Sequence, residues 1–141
     1  MTHTQTFNVG KAPCGTQVAE TPQTNFTMGQ SFTAQYRIDA NHGGYVQMNL
    51  ITNGRTISLA DKVNVQGTGT GTKDQLIQLP FGVTCNPCIF QWIWVPNKDV
   101  ETSNYYACSD IKIVNGAMGS IKANWFIASM VASLLMLVFM L

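Results

Sequence analysis

The feature that most restricts the fold is a strict alternation of apolar and polar residues. In Ser31–Asp39, SFTAQYRID, the side chains Phe32, Ala34, Tyr36 and Ile38 fall on every second position, and in GYVQMNLI so do Val46, Met48 and Leu50. A period of two gathers these side chains on one face of a β-strand, whereas a helix would scatter them around its axis. QLIQL, CIFQWIWV and YYACSDIKIV read as further strands, Ile57–Val65 as a weaker one, and the Gly/Thr-rich segment Gly67–Asp74 as a loop. Several short strands separated by turns, with no helical period before the C-terminal tail, predict an all-β sandwich. The length of 141 residues suits one such domain. The expected division is an N-terminal arm at 1–12, a sandwich at 13–114, a spacer of small and polar residues at 115–124 and an apolar segment at 125–141.

Charged residues make up only 11% of the chain and the net charge is +1, with no basic cluster, which excludes nucleic acid as the expected partner. Thr, Asn, Gln and Gly fill the polar positions, as on many secreted, carbohydrate-facing β proteins. The four cysteines are Cys14, Cys85, Cys88 and Cys108. Cys85 and Cys88 form a CxxC, but no second pair stands at zinc-finger spacing and no βαβ unit surrounds it, so two disulfides in an oxidising compartment are expected. Four cysteines allow three connectivities. The one favoured from strand adjacency is Cys88–Cys108 between neighbouring strands, with Cys14–Cys85 tying the arm to the sheet. Asn25-Phe26-Thr27 is an N-glycosylation sequon.

The segment Trp125–Leu141, WFIASMVASLLMLVFML, carries no charge and is about 17 residues long, near the lower limit for a membrane span. Small residues, a polar spacer and a terminal apolar tail form the pattern of a glycolipid attachment signal, with Asn115, Gly116 or Ser120 as the candidate attachment site and Asn115 first among them; a plain transmembrane anchor is the alternative. The first residues, MTHTQTF, contain no apolar signal-peptide region. Disulfides and a glycolipid tail both call for the secretory pathway, so the start of the gene product is expected upstream of Met1.

His42 stands at a predicted strand corner, between Asn41 and the pair Gly43-Gly44. On its own a turn histidine is ordinary. The surrounding motifs IDANHGGYVQMNLI, CNPCIFQWIWV and YYACSDIKIV, in this order, resemble the C-terminal half of lytic polysaccharide monooxygenases, near the chitin-binding type-4 branches, over about Pro13–Val114. The resemblance implies an Ig-like or fibronectin-like β-sandwich and a copper site held by a histidine brace: the amino group and ring of an N-terminal histidine, and the ring of a second that matches His42. It also implies an axial Tyr five residues before the Asp of the CxDI motif, which is Tyr105. Tetragonal nitrogen coordination of this kind suits Cu(II).

The chain departs from that pattern in opening Met-Thr-His, so His3 offers a ring but no α-amino group. The expected function is therefore that of a cell-surface, polysaccharide-associated domain, related to enzymes that cleave chitin or cellulose oxidatively but inactive as the chain stands. The competing reading is a non-catalytic wall-binding, adhesion or copper-handling module. Tyr45, after the glycine turn, is the candidate for stacking on sugar. Trp92 and Trp94 share a stripe with Phe90 and are expected in the core. Gln91 lies on the opposite face. No GxSxG, HExxH or phosphate-binding loop occurs, and the aspartates are too scattered for paired-carboxylate hydrolysis.

Overall fold

The structure, a computed structural model, describes residues 8–9, 11–16, 18–22 and 24–116. His3, most of the spacer and the apolar tail lie outside the described residues. Nine strands and no helix form within them: β1 (Asn8–Val9), β2 (Thr24–Thr27), β3 (Ser31–Ile38), β4 (Tyr45–Thr52), β5 (Arg55–Ser58), β6 (Val63–Asn64), β7 (Gly71–Gln78), β8 (Cys85–Val95) and β9 (Tyr105–Val114). The larger sheet has the order β1-β9-β8-β4-β5, with β2 running parallel to β9 and β6 antiparallel to β4. The smaller sheet is the antiparallel pair β3–β7, in register over all eight residues of each.

The expected all-β sandwich is what forms, and the alternation explains how it closes. Val46, Met48 and Leu50 of β4 stand opposite Trp94, Trp92 and Phe90 of β8, so the apolar stripes of the two central strands merge on the inner face. Tyr36, Ile38 and Ile77 from the small sheet, with Leu79 just after β7, complete one cluster with them. Aromatic contacts stitch the sheets together: Tyr36 on Trp92 with ring centres 5.5 Å apart, and Phe32 on both Phe26 (4.6 Å) and Phe90 (5.8 Å). Trp92 and Trp94 are core residues, at 4% and 6% exposed. Burial holds the Tyr36 phenol above its usual pKa, because the phenolate would have to shed water there.

Three local expectations need correction. Gly71–Asp74 is strand, not loop: β7 begins at Gly71, and Thr72, Lys73 and Asp74 pair with Arg37, Tyr36 and Gln35. The pairing partner β3 decides this, a non-local effect that the glycine content hides. Ile57–Val65 is broken into β5 and β6. Within the expected arm, β1 is already a sheet strand paired with Tyr105 and Tyr106.

The disulfides also differ from the favoured connectivity. Neither Cys88–Cys108 nor Cys14–Cys85 forms; the bridges are Cys14–Cys108 and Cys85–Cys88. The sheet pleat is the reason. Cys88 shares the inner face with Trp92, whereas Cys108 stands opposite Gln91 and therefore points to the outer face. Two cysteines on opposite faces cannot be joined, however close their strands. A bulge between Cys85 and Cys88, where three steps along β8 match two along β9, brings those two together with Cα atoms 5.6 Å apart.

Cys108 instead captures Cys14, and the segment around Pro13 and Cys14 lies on the outer face of the large sheet. A chain of amides runs beneath it: Gln47 Nε2 donates to Asn49 Oδ1 (3.0 Å), Asn49 Nδ2 to Gln91 Oε1 (2.8 Å), and Gln91 Nε2 to the carbonyl of Pro13 (2.7 Å). Asn49 and Gln91 are buried polar residues, each with a partner.

Candidate functional site at the His42 end of the sandwich

β4 starts, β8 ends, β9 starts and β7 starts at one end of the sandwich, so three connections converge there. The β3–β4 connection brings Asn41, His42 and Gly43; the β6–β7 connection Gln66, Gly67 and Gly69; the β8–β9 connection Asn97 and Val100. Together they line an open concavity of about 510 Å³. None of these side chains is an acid or a lysine or arginine, and Val100 contributes an apolar wall that is 64% exposed.

The glycines after His42 are required by the path of the chain. Gly43 and Gly44 both have positive φ, at 68° and 78°. A Cβ on Gly44 would collide with the Val95 carbonyl. The tight corner this permits is anchored from three sides. The Asn97 N–H donates to the His42 carbonyl (3.0 Å), Trp94 Nε1 to the Gly43 carbonyl (2.8 Å), and the Val65 N–H to the Gly44 carbonyl (3.0 Å).

Trp94 contacts the rings of both candidate residues: its ring centre is 5.6 Å from that of His42, tilted by 42°, and 5.1 Å from that of Tyr105, on which it stacks at 28°. Tyr105 faces inward opposite Trp94, whereas Tyr106 faces outward opposite Ile93 and is buried. His42 Nδ1 is buried and has no hydrogen-bond partner among the described residues. Sequence reasoning placed Trp94 in the core, which is right, but missed that it fixes the corner and joins His42 to Tyr105. The register Val46–Trp94–Tyr105 carries that information, and it needs the strand pairing to be read.

The remaining candidates lie apart from this stack. Tyr45 is half-buried on the outer face, with the Lys62 ammonium 4.6 Å over its ring, so one face of the ring is already covered. Gln91 works under the arm. Asn25 is exposed on β2, and Asn115 is exposed just after β9. Asp110, from which the position of Tyr105 was counted, accepts a hydrogen bond from the Glu20 N–H (2.5 Å).

The model of the family described as lytic polysaccharide mono-oxygenase, cellulose-degrading, matches residues 4–111. The chain belongs to that family. No curated protein matches it. Among solved structures, the lytic polysaccharide monooxygenase AA15 from Thermobia domestica in the Cu(I) state is similar, with a TM-score of 0.53 and 24% identity over 65% of this chain. The match covers 63% of that protein, less than two thirds of its length, and supports the fold alone.

Copper dependence is general in the lytic polysaccharide mono-oxygenase family, so the donor set can be tested against it. His42 supplies one imidazole whose Nδ1 is unpartnered, which is compatible with a metal-ligating ring. The Tyr105 phenol stacks on Trp94, which also contacts the His42 ring. Among the described residues no three His, Cys, Asp or Glu side chains come together as a metal site. One imidazole does not make tetragonal nitrogen coordination, so the described residues do not fit a copper centre by themselves.

Proposed function

We propose that the chain is a polysaccharide-associated domain of the lytic polysaccharide mono-oxygenase family, and that it meets chitin or cellulose with the His42 end of the sandwich. The observation that carries this reading is the concavity beside His42, open and lined by amide and glycine groups without a formal charge among acids, lysines or arginines. Neutral sugars present hydroxyl and acetamido groups, and amide side chains are donors and acceptors suited to both. His42 is its candidate metal ligand, Tyr105 the candidate axial group and Tyr45 a candidate sugar contact reached only by its uncovered face.

Oxidative cleavage is not expected from this chain, since its described residues bring one imidazole to the site. The test is to incubate the copper-treated full chain with chitin and with cellulose in the presence of a reductant. Mass spectrometry should detect no oxidised oligosaccharides. Their release, lost on His42→Ala, would overturn this part of the reading and favour a working oxygenase. The competing reading is a wall-binding, adhesion or copper-handling module, and sugar binding without oxidised products would favour it.

The two disulfides support a route through the secretory pathway. The exposed sequon asparagine Asn25 supports glycosylation, and the apolar C-terminal sequence supports anchoring at the cell surface, either by glycolipid at Asn115 or by the tail itself.

A further inference from the structure

The wall of the concavity formed by the β6–β7 connection has little packing to hold it. Gly67 and Gly69 have positive φ, and a Cβ on either would meet nothing within 4 Å. Its place must therefore come from hydrogen bonds. Thr68 bonds back to the Val65 carbonyl and Lys73 reaches the Thr68 carbonyl (3.2 Å), but both contacts stay within the connection and its own following strand. A backbone bond from the Val65 N–H to the Gly44 carbonyl (3.0 Å) holds the base of the connection to the corner, and the side-chain tie across the concavity is Asn41. Its Nδ2 donates to the carbonyls of Val65 (2.8 Å) and Gly69 (2.9 Å), while its Oδ1 accepts the Gly43 N–H (2.9 Å). One amide thus spends both donor hydrogens on the wall and its oxygen on the residue after His42.

We propose that Asn41 is the positioning residue of this end of the sandwich. It holds the Gln66–Gly71 wall and the His42 corner in one fixed relation, and so keeps the shape that a polysaccharide chain meets; only this last clause rests on the function proposed above. No other common side chain of this length offers two donors and an acceptor. Aspartate would keep the acceptor for Gly43 and set an oxygen against two carbonyls. Alanine would lose all three bonds.

The two substitutions separate the two halves of the role, and NMR on the full chain reads them. In Asn41→Ala, amide exchange at Gly43 should speed up by about tenfold, the equivalent of one hydrogen bond's net contribution, and the heteronuclear NOE at Gly67 and Gly69 should fall. In Asn41→Asp the wall should loosen in the same way while Gly43 keeps its protection. Amides of Ile77 and Leu79, deep in the core, should be unchanged in both, which separates positioning from general destabilisation. Wall amides as rigid as in the wild type in both variants, or loss of protection spread evenly to Ile77 and Leu79, would overturn the proposal. Titration with chitohexaose and cellohexaose should show about tenfold weaker binding in both variants. Undiminished binding to a loosened wall would overturn the link to polysaccharide. Failure of the wild type to bind either sugar would refute the proposed function, and the amide data would still decide the role of Asn41.

Discussion

Removing the Cys14–Cys108 bridge should cost far more stability than removing Cys85–Cys88, although both are single crosslinks in one domain. The first joins residues 94 apart and the second residues 3 apart. A crosslink stabilises largely by restricting the unfolded chain, by about 4.7 kcal/mol for the long loop and about 2 kcal/mol for the short one. No large native-state term should distort the first figure. The bridge ties the arm over Gln91 and Asn49, and an arm that swings free lets water reach those amides rather than leaving them buried without partners. Against a total of about 5–15 kcal/mol for a domain of ordinary stability, the long bridge is a major share. The assay is urea unfolding of the full chain followed by tryptophan fluorescence, comparing Cys14→Ala/Cys108→Ala and Cys85→Ala/Cys88→Ala with the wild type. Equal losses in the two variants, or a larger loss from the short bridge, would refute the reasoning, and non-reducing peptide maps showing Cys88 linked to Cys108 would refute the pairing itself.

Gly44→Ala should destabilise by about 3 kcal/mol or more, since positive φ and the collision with the Val95 carbonyl add together, whereas Gly54→Ala, with the same sign of φ but open space, should cost about 1 kcal/mol; thermal melts compare them. Tyr36 titrates higher in the folded chain than in the unfolded one, so the stability it contributes is whole below pH about 10 and is lost as pH rises through the raised folded value. Tyr36→Phe should therefore flatten the alkaline end of a stability–pH curve measured by urea unfolding, and an unchanged slope would count against the assignment. Leu50→Ala, at a fully buried position between β5 and β8, should cost about 2–5 kcal/mol in the same assay. Phosphatidylinositol-specific phospholipase C should release the protein from expressing cells if Asn115 carries a glycolipid, and protein retained in the membrane with Leu141 intact would point to the tail as the anchor.

The strands with clean alternation were legible without any structure, because burial on one face leaves a period-two imprint on the residues themselves. Phe32 to Ile38 and Val46 to Leu50 point inward as their spacing requires. Features decided by pairing were not legible. The start of β7 at Gly71 depends on β3, and the disulfide partners depend on which face of β8 and β9 each cysteine occupies. Strand adjacency suggested Cys88–Cys108, but the register sets them on opposite faces. β2 was missed because Thr24–Thr27 has little alternation of its own and exists through its parallel register with Ile111–Val114. At the site, His42 and Tyr105 were found through motif resemblance, and the structure draws both to Trp94. The hydrogen bonds of Asn41 leave no periodic trace in the sequence, since they run to backbone carbonyls 24 and 28 residues away.

The most direct test of the account is a ¹H–¹⁵N NMR titration of the full chain with chitohexaose and with cellohexaose. If the His42 end of the sandwich meets the sugar, the shifted amides cluster at Asn41–Gly43, Gln66–Gly69 and Asn97–Val100, the three connections around His42. No shift with either sugar, or shifts gathered instead on the outward face of β3–β7 around Gln35 and Leu76, would contradict it.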